Sequence, residues 1–260
     1  MGGGKLLELS GIRIGFGDGP DVIADTSLVM SANEFVSVIG PSGCGKSTIL
    51  NAVAGLMPVR SGRVDYRGKT VQKVNTDVGY MTQGDTLLPW RTVQENIATP
   101  LKLRGFPKAA IRRKVDALMK MLDLVDAADK FPAQLSGGMK RRALLARSMI
   151  YEPELLLMDE PFAALDAQLR TQMHRELRRT IAETGQAVLF ITHDIFEAVL
   201  LSDRVVVLGG RPAAPISEHH VPFGPDRDVE ALRFDPEFVR LEKRVHDALG
   251  EARTMSKAAS

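Results

Sequence analysis

A glycine-rich segment near residue 40 constrains this chain more than any other feature. It reads Gly40-Pro41-Ser42-Gly43-Cys44-Gly45-Lys46-Ser47-Thr48. An apolar run of strand type precedes it at 35–39, and helical spacing follows at 48–55, so strand, loop and helix come in the order that a phosphate-binding loop needs. The glycines let successive backbone N–H groups point into one concavity, and the helix dipole favours an anion there. The segment therefore predicts nucleotide binding rather than a chance match.

Three residues of this loop have predictable consequences. Lys46 would reach the β- and γ-phosphates, and the hydroxyl of Ser47 would contact Mg²⁺. Cys44 lies inside the loop, so an alkylating reagent is expected to crowd the phosphate site, unless the thiol is buried and inert. The loop thus predicts ATP-type chemistry with magnesium.

Composition and charge exclude several classes of protein. The 260 residues suffice for one large domain or for a domain with a subdomain. The 34 basic and 32 acidic residues give a formal charge of +2, which provides no global attraction for nucleic acid or anionic lipid. The apolar runs fall far short of the roughly 20 residues that cross a bilayer. One cysteine and no apolar stretch of signal-peptide length at the start of the sequence favour residence in the cytosol.

The hydrophobic pattern changes twice along the chain. Short β-type runs with turn residues between them extend to about residue 81, helical spacing occupies 92–151, and apolar strands return after Pro153. Continuous apolar strands that alternate with helices indicate a parallel sheet covered on both faces. The helical block therefore looks like an insertion into an α/β nucleotide-binding core. The pattern further predicts a helix over 167–184, a final amphipathic helix over 236–249, and disorder over 253–260.

Two carboxylates directly follow one of the apolar strands. Asp159 and Glu160 come after Leu155–Met158, which in an open α/β sheet places them at the carboxyl edge where ligands bind. Asp159 is suited to the magnesium shell, and Glu160 is suited to polarise an attacking water. The alternative is an acidic pair that caps a helix.

A second glycine-containing loop precedes a cationic helix. Ser136, Gly137 and Gly138 lead into the basic segment 140–147, which would give a second anion-binding helix terminus. Taken alone, a Ser-Gly-Gly sequence is an ordinary loop.

Together these motifs resemble an ATP-binding cassette, as found in the ABC transporter family. The phosphate loop, Gln83, Leu135-Ser136-Gly137-Gly138, Asp159-Glu160-Pro161, Ala164-Leu165-Asp166 and Thr192-His193-Asp194 stand in the order of that family over nearly the whole chain. The resemblance implies an ATPase that works as a head-to-tail homodimer. Each ATP would lie between the phosphate loop of one copy and the Ser136–Gly138 loop, here called the signature loop, of the other.

The resemblance also implies roles for four further residues. Phe16 would stack on adenine, Gln83 would contact Mg²⁺ and the water, Asp166 would cross the dimer interface, and His193 would contact the γ-phosphate. The alternatives are a core or loop aromatic for Phe16, a plain loop residue for Gln83 and a neighbour of a helix cap for His193.

The implied fold is α/β, with a P-loop NTPase (RecA-like) core, an N-terminal antiparallel β-subdomain and an inserted α-helical subdomain. We expect one nucleotide-binding domain over 1–260. The core with its β-subdomain would occupy 6–85 and 152–225, the helical subdomain with the signature loop 86–151, and a helical tail 226–260.

Several segments resemble those of importers of the nitrate, sulfonate, taurine and pyrimidine-precursor group. The residues that carry this resemblance are Leu135–Met139, Leu87–Val93 followed by Glu95 and Asn96, Asp159–Phe162 leading to Leu165–Gln168, and Phe234–Phe238. Met139 and Arg141 replace glutamines that are common in the wider family.

The resemblance implies a peripheral protein on the cytoplasmic face of the cell membrane. It would contact a transmembrane permease through the loop Gln83–Trp90 and act indirectly with a solute-binding protein, without nucleic acid. An apolar patch of Leu87, Leu88, Pro89 and Trp90 would dock the permease, although Trp90 could instead be a buried anchor. The competing classes are a cassette ATPase of DNA repair or translation and a non-hydrolysing regulatory module. The short interval between Lys46 and Leu135 leaves no room for the coiled coil that many nucleic-acid cassettes carry.

Overall fold

Two sheets form the framework of the protein. The computed structural model describes residues 4–163, 165–224, 227 and 229–258. Within these ranges, an antiparallel sheet has the strand order β2-β1-β4-β5, and a larger sheet has the order β10-β9-β3-β8-β7-β6. The first consists of β1 (Lys5–Gly15), β2 (Asp21–Ser31), β4 (Ser61–Tyr66) and β5 (Lys69–Thr70). The second consists of β3 (Phe35–Ile39), β6 (Gly79–Met81), β7 (Leu155–Asp159), β8 (Ala187–Ile191), β9 (Arg204–Gly209) and β10 (Ala214–His220).

The larger sheet is parallel except at one edge. Strands β6, β7, β8, β3 and β9 run parallel, and β10 pairs antiparallel with β9. The central strands β3, β7 and β8 are buried at every position, which explains their unbroken apolar sequence. Since the strands run the same way, residues just after β3, β6, β7 and β8 meet at one edge of the sheet.

Helices cover the larger sheet and form the inserted block. They are α1 (Lys46–Val53), α2 (Val93–Leu103), α3 (Lys108–Met121), α4 (Gly137–Met149), α5 (Ala167–Thr184), α6 (Ile195–Leu201), α7 (Val229–Leu232) and α8 (Pro236–Ala258). Several start at a side-chain cap, as the sequence favours. Thr92 and Glu95 form a reciprocal capping box at α2, and Asp166 and Asp194 cap α5 and α6.

In the described ranges, two hydrophobic clusters lie on opposite faces of the larger sheet. Alternate residues of β7 divide between them: Leu156 and Met158 join the cluster that includes α2–α6 and α8, whereas Leu155 and Leu157 join the cluster of α1 and the antiparallel sheet. This alternation follows from the period of two along a strand. The predicted fold class, with its parallel sheet, antiparallel β-sheet and helical insertion, is confirmed.

The C-terminal segment differs from the sequence prediction. Helix α8 continues to Ala258, so the predicted end near Leu249 and the predicted disorder over 253–258 are wrong; residues 259–260 lie outside the described ranges. The helix extends because its apolar face stays buried beyond Leu249: Ala252 is fully buried, and its Cα would lie only 2.9 Å from a Cβ added to Gly209. Strand β10, also unexpected, lies in the proline-containing segment after Gly209. In the described part of the chain, no helix combines the length and apolar character needed to cross a membrane.

Candidate active site

The loop between β3 and α1 holds a buried lysine. Lys46 is 6% exposed, and its Nζ donates hydrogen bonds to the carbonyl oxygens of Gly40 at 3.0 Å and Pro41 at 3.1 Å. The N–H of Cys44 turns back to the Pro41 carbonyl at 3.3 Å. The ammonium group is therefore fixed inside the loop, at the start of α1.

Gly45 is the residue that lets the loop enter the helix. It is the N-cap of α1 with φ of 99°, and it makes no side-chain cap. A Cβ at this position would lie 2.6 Å from Val22 Cγ1 and 2.9 Å from Ile23 Cδ1, so both the backbone conformation and the close approach of β2 require glycine. Helix α1 therefore starts directly at the loop, and a helix N-terminus favours a bound anion.

The thiol of Cys44 is buried, contrary to the expectation of a reactive cysteine. Cys44 is 5% exposed, and its Sγ would lie 3.0 Å from a Cβ added to Gly40. Burial raises the pKa of this thiol, with the nearby Lys46 acting in the opposite direction. The inert alternative is therefore the one that the structure favours.

We expect native Cys44 to react slowly with a maleimide, at the same rate with and without MgATP, and quickly after denaturation. Mass spectrometry of labelled protein over time measures both rates. Fast native labelling that nucleotide suppresses would contradict the buried position of the thiol.

The two carboxylates after β7 occupy different environments. Asp159 is 7% exposed. Burial raises its pKa, while a hydrogen bond from Ser47 and the charge of Lys46 oppose that shift. Ser47 and Asp159, predicted separately as magnesium ligands, are thus in contact. Glu160 has φ of 45°, which is uncommon for a residue with a side chain, and its N–H donates to the Ile191 carbonyl at 2.9 Å.

Glu160 is the point at which three strand ends converge. Its Oε2 lies 3.3 Å from Gln83 Nε2 and 3.2 Å from His193 Nδ1. Gln83 follows β6, Glu160 follows β7 and His193 follows β8. The Glu160 side chain is 19% exposed and that of His193 is 59% exposed, so a water molecule can reach the carboxylate from solvent.

Two residues that sequence reasoning had not assigned to the site support its loops. Arg141, noted only as a departure from the family pattern, donates from Nη2 to the Gln83 carbonyl at 2.7 Å. Asn96, which is fully buried, donates to the carbonyls of Leu88 at 3.1 Å and Arg91 at 3.0 Å. The sequence signal for Arg141 was a charged residue on the apolar side of α4, and the signal for Asn96 was an amide inside α2.

The signature loop forms the start of α4. Ser136 accepts a hydrogen bond from Met139 N at 3.3 Å as the helix cap. A Cβ on Gly138 would lie 2.6 Å from Leu169 Cδ2, so that leucine side chain would have to shift, whereas a Cβ on Gly137 would meet no atom within 4 Å. Asp166 caps α5 through Leu169 N at 2.9 Å. Among the described residues, Ser136 and Asp166 form hydrogen bonds only with the first turn of the helix that each of them caps.

The two aromatic residues singled out from the sequence are on the surface. Phe16, just after β1, is 62% exposed, so it is not a core aromatic. Trp90 is 70% exposed, which excludes the buried-anchor alternative. Leu87, however, is only 6% exposed and belongs to the core, so the predicted apolar patch shrinks to Pro89 and Trp90 with a half-buried Leu88.

Comparisons with known proteins identify the family. A family model described as ABC transporter matches residues 23–163. The chain is 35% identical to the taurine import ATP-binding protein of Escherichia coli, over 95% of this chain and 98% of that one. It is 41% identical to the nitrate import ATP-binding protein of Synechococcus elongatus, over 89% and 86% respectively.

A solved structure gives the same result. The dimeric, post-hydrolysis structure of an ATP-binding cassette bound to ADP and Pi matches with a TM-score of 0.73 and 27% identity, over 84% of this chain and 100% of that chain. The relatives are ATP-binding proteins of importers, which supports an importer subunit and not the alternative of a DNA-repair ATPase. The chain belongs to the ABC transporter family, in which it is an ATP-binding, ATP-hydrolysing subunit of an importer.

Proposed function

We propose that the hydrolytic centre lies at the carboxylate of Glu160, where Gln83 and His193 approach the same oxygen atom. The observation that carries this proposal is the pair of contacts of 3.3 and 3.2 Å at Glu160 Oε2. Glu160 would accept a hydrogen bond from the attacking water and draw its proton, while the Gln83 amide orients that water. His193, on the exposed side, would donate to the γ-phosphate.

The residues around Ser47 suit a magnesium ion. The Ser47 hydroxyl, the Asp159 carboxylate and the side-chain oxygen of Gln83 are hard oxygen donors, which Mg²⁺ prefers, and the first two already contact one another. The ion would neutralise charge on the β- and γ-phosphates. The loop 40–48, with Lys46 held inside it, would bind those phosphates, and Phe16 would stack on the adenine.

We propose that a second copy of this chain completes each ATP site. Ser136 and Gly137 at the start of α4 would approach the γ-phosphate of the partner copy, and Asp166 would lie at the interface. The open space around Gly137 supports this arrangement, because it leaves the backbone accessible. The match to a dimeric cassette bound to ADP and Pi supports the same assembly.

The protein would act as a peripheral subunit beneath a membrane-spanning permease, on the cytoplasmic face of the membrane. The loop Gln83–Trp90 begins at Gln83, which contacts Glu160, and ends at the exposed indole of Trp90. A change at the ATP site would therefore be transmitted through this loop to the permease. A solute-binding protein would take part only through the permease.

The relatives named for taurine and nitrate import favour a small anionic or sulfonate solute. Uptake of labelled taurine and nitrate into vesicles that contain the cognate partners tests this choice.

Replacing Trp90 by alanine is expected to reduce solute uptake and recovery of the permease complex while leaving ATPase activity of the isolated subunit within a few-fold of wild type. Buried interface aromatics contribute about 2 kcal/mol or more when truncated. The measurement pairs uptake in reconstituted vesicles with hydrolysis by the subunit alone.

A matched control for Trp90 is Leu56→Ala. Leu56 is 57% exposed and lies just after α1, away from the Gln83–Trp90 loop in the sequence. We expect it to change neither uptake nor hydrolysis. Unchanged uptake in Trp90→Ala would refute the proposal that this loop couples the subunit to the permease.

A further inference from the structure

A buried carboxylate lies beneath the turn that carries His193. Glu197, on α6, is 4% exposed. Its Oε2 accepts a hydrogen bond from the Thr192 hydroxyl at 2.6 Å, and its Oε1 lies 3.3 Å from His174 Nε2. An isolated charge would be costly at such a site, so these partners hold the carboxylate in place.

Glu197 is tied to the residues on both sides of His193. The Thr192 hydroxyl, besides donating to Glu197, accepts a hydrogen bond from Asp194 N at 3.0 Å. The carboxylate of Asp194 in turn accepts from Glu197 N at 3.2 Å. The backbone of the turn is therefore held before and after His193, whose Nδ1 lies 3.2 Å from Glu160 Oε2.

The same carboxylate is also connected to the segment that follows Glu160. His174, on α5, is 2% exposed. Its ring packs edge-on against Phe162, with ring centroids 4.9 Å apart and planes at 73°, and Phe162 is two residues after Glu160. Arg170 of α5 adds its Nε at 3.8 Å from Glu197 Oε1. Helix α5 and the His193 turn thus meet at Glu197, and the Glu160 segment reaches it through His174.

We propose that Glu197 is a positioning residue that keeps His193 aligned with Glu160 through the Thr192 hydroxyl. In this role it would act through the turn and not by contact with the nucleotide. The inference rests on the proposed function, because it requires His193 and Glu160 to act on ATP. The inference adds to that function the residue, Glu197, that sets the distance between His193 and Glu160.

The direct test is hydrolysis by Glu197 and Thr192 variants. We expect Glu197→Ala to lower kcat about 10-fold or more, because the loose turn no longer presents His193, with ATP affinity within about threefold of wild type. Glu197→Gln keeps an oxygen that can accept from Thr192 and should recover part of the rate. Thr192→Ser, which keeps the hydroxyl, should remain near wild type, whereas Thr192→Val should resemble Glu197→Ala.

A double-mutant cycle with His193→Ala distinguishes positioning from general packing. If Glu197 acts through His193, its removal should cost little further once His193 is absent. Equal losses in both backgrounds would overturn the inference. Gln186→Ala is the control: Gln186 is 5% exposed and donates to the Pro153 carbonyl at 2.6 Å, just before β8 rather than after it. It should lower the melting temperature without lowering kcat.

The outcomes separate the two proposals. Full turnover in His193→Ala would refute the role of His193 and, with it, positioning by Glu197. Low turnover in His193→Ala together with normal turnover in Glu197→Ala and Thr192→Val would refute only the positioning role. Should Glu197→Ala fail to fold, Glu197→Gln and the two Thr192 variants decide the question by the same comparison of kcat with ATP affinity.

Discussion

ATP turnover is expected to fall by about 100-fold or more when Glu160 is replaced by glutamine, the range that general-base groups contribute. The amide keeps the size of the side chain and can still contact Gln83 and His193, but it cannot draw a proton from the attacking water. Lys46, Ser47 and Asp159 are unchanged, so the affinity for ATP should stay close to wild type. Steady-state phosphate release and equilibrium binding of labelled ATP measure the two quantities.

The same variant should accumulate as an ATP-bound dimer, since the nucleotide between two copies is no longer consumed. Size-exclusion chromatography with MgATP detects this species. A control is Glu154→Gln, at a carboxylate that is 53% exposed and ion-paired with Arg67 at 3.1 Å before β7; it should hydrolyse ATP normally and remain monomeric after turnover. Near-normal hydrolysis by Glu160→Gln, or loss of its ATP binding, would refute the assignment of Glu160.

The sequence predicts those parts of the fold that are determined locally. The bounds of β3 and α5 agree with the apolar run and the 3.6-residue pattern that predicted them. The candidate site is predictable in part for the same reason. Parallel strands bring their carboxyl ends to one edge, so Gln83, Glu160 and His193 meet although they are distant in the sequence.

What the sequence does not reveal depends on contacts between distant segments. The apolar face of α8 is a weak local signal. Its last turns are helical because they are buried against β9, where Ala252 packs on Gly209. Leu87 and Trp90 both read as apolar loop residues, yet one packs into the core and the other is exposed. Glu197 reads as an ordinary residue of a short helix, because its partner His174 comes from α5, and the hydroxyl of Thr192 meets it only when the turn before α6 has formed.

Replacing Lys46 by alanine should affect the protein at an earlier step than Glu160→Gln does. The ammonium group, held at 3.0 and 3.1 Å from the loop carbonyls, is the cation placed to meet the β- and γ-phosphates. Losing hydrogen bonds between charged groups costs about 3 kcal/mol, which corresponds to about a 100-fold rise in the dissociation constant for ATP. Titration of a fluorescent ATP analogue measures that constant, and no ATP-bound dimer should form at nucleotide concentrations that assemble Glu160→Gln.

The control for Lys46 is Lys114→Ala, at a partly buried lysine that pairs with Glu152 on the helical block. It also removes a cation and a long side chain, but we expect its ATP affinity to stay at the wild-type value. Because truncating Lys46 also frees the carbonyls of Gly40 and Pro41, thermal unfolding without nucleotide should accompany the titration. A folded Lys46→Ala protein that binds ATP as tightly as Lys114→Ala would show that the phosphates do not lie in this loop. Weak binding in Lys46→Ala, set against tight binding without turnover in Glu160→Gln, would separate phosphate binding from water activation within one site.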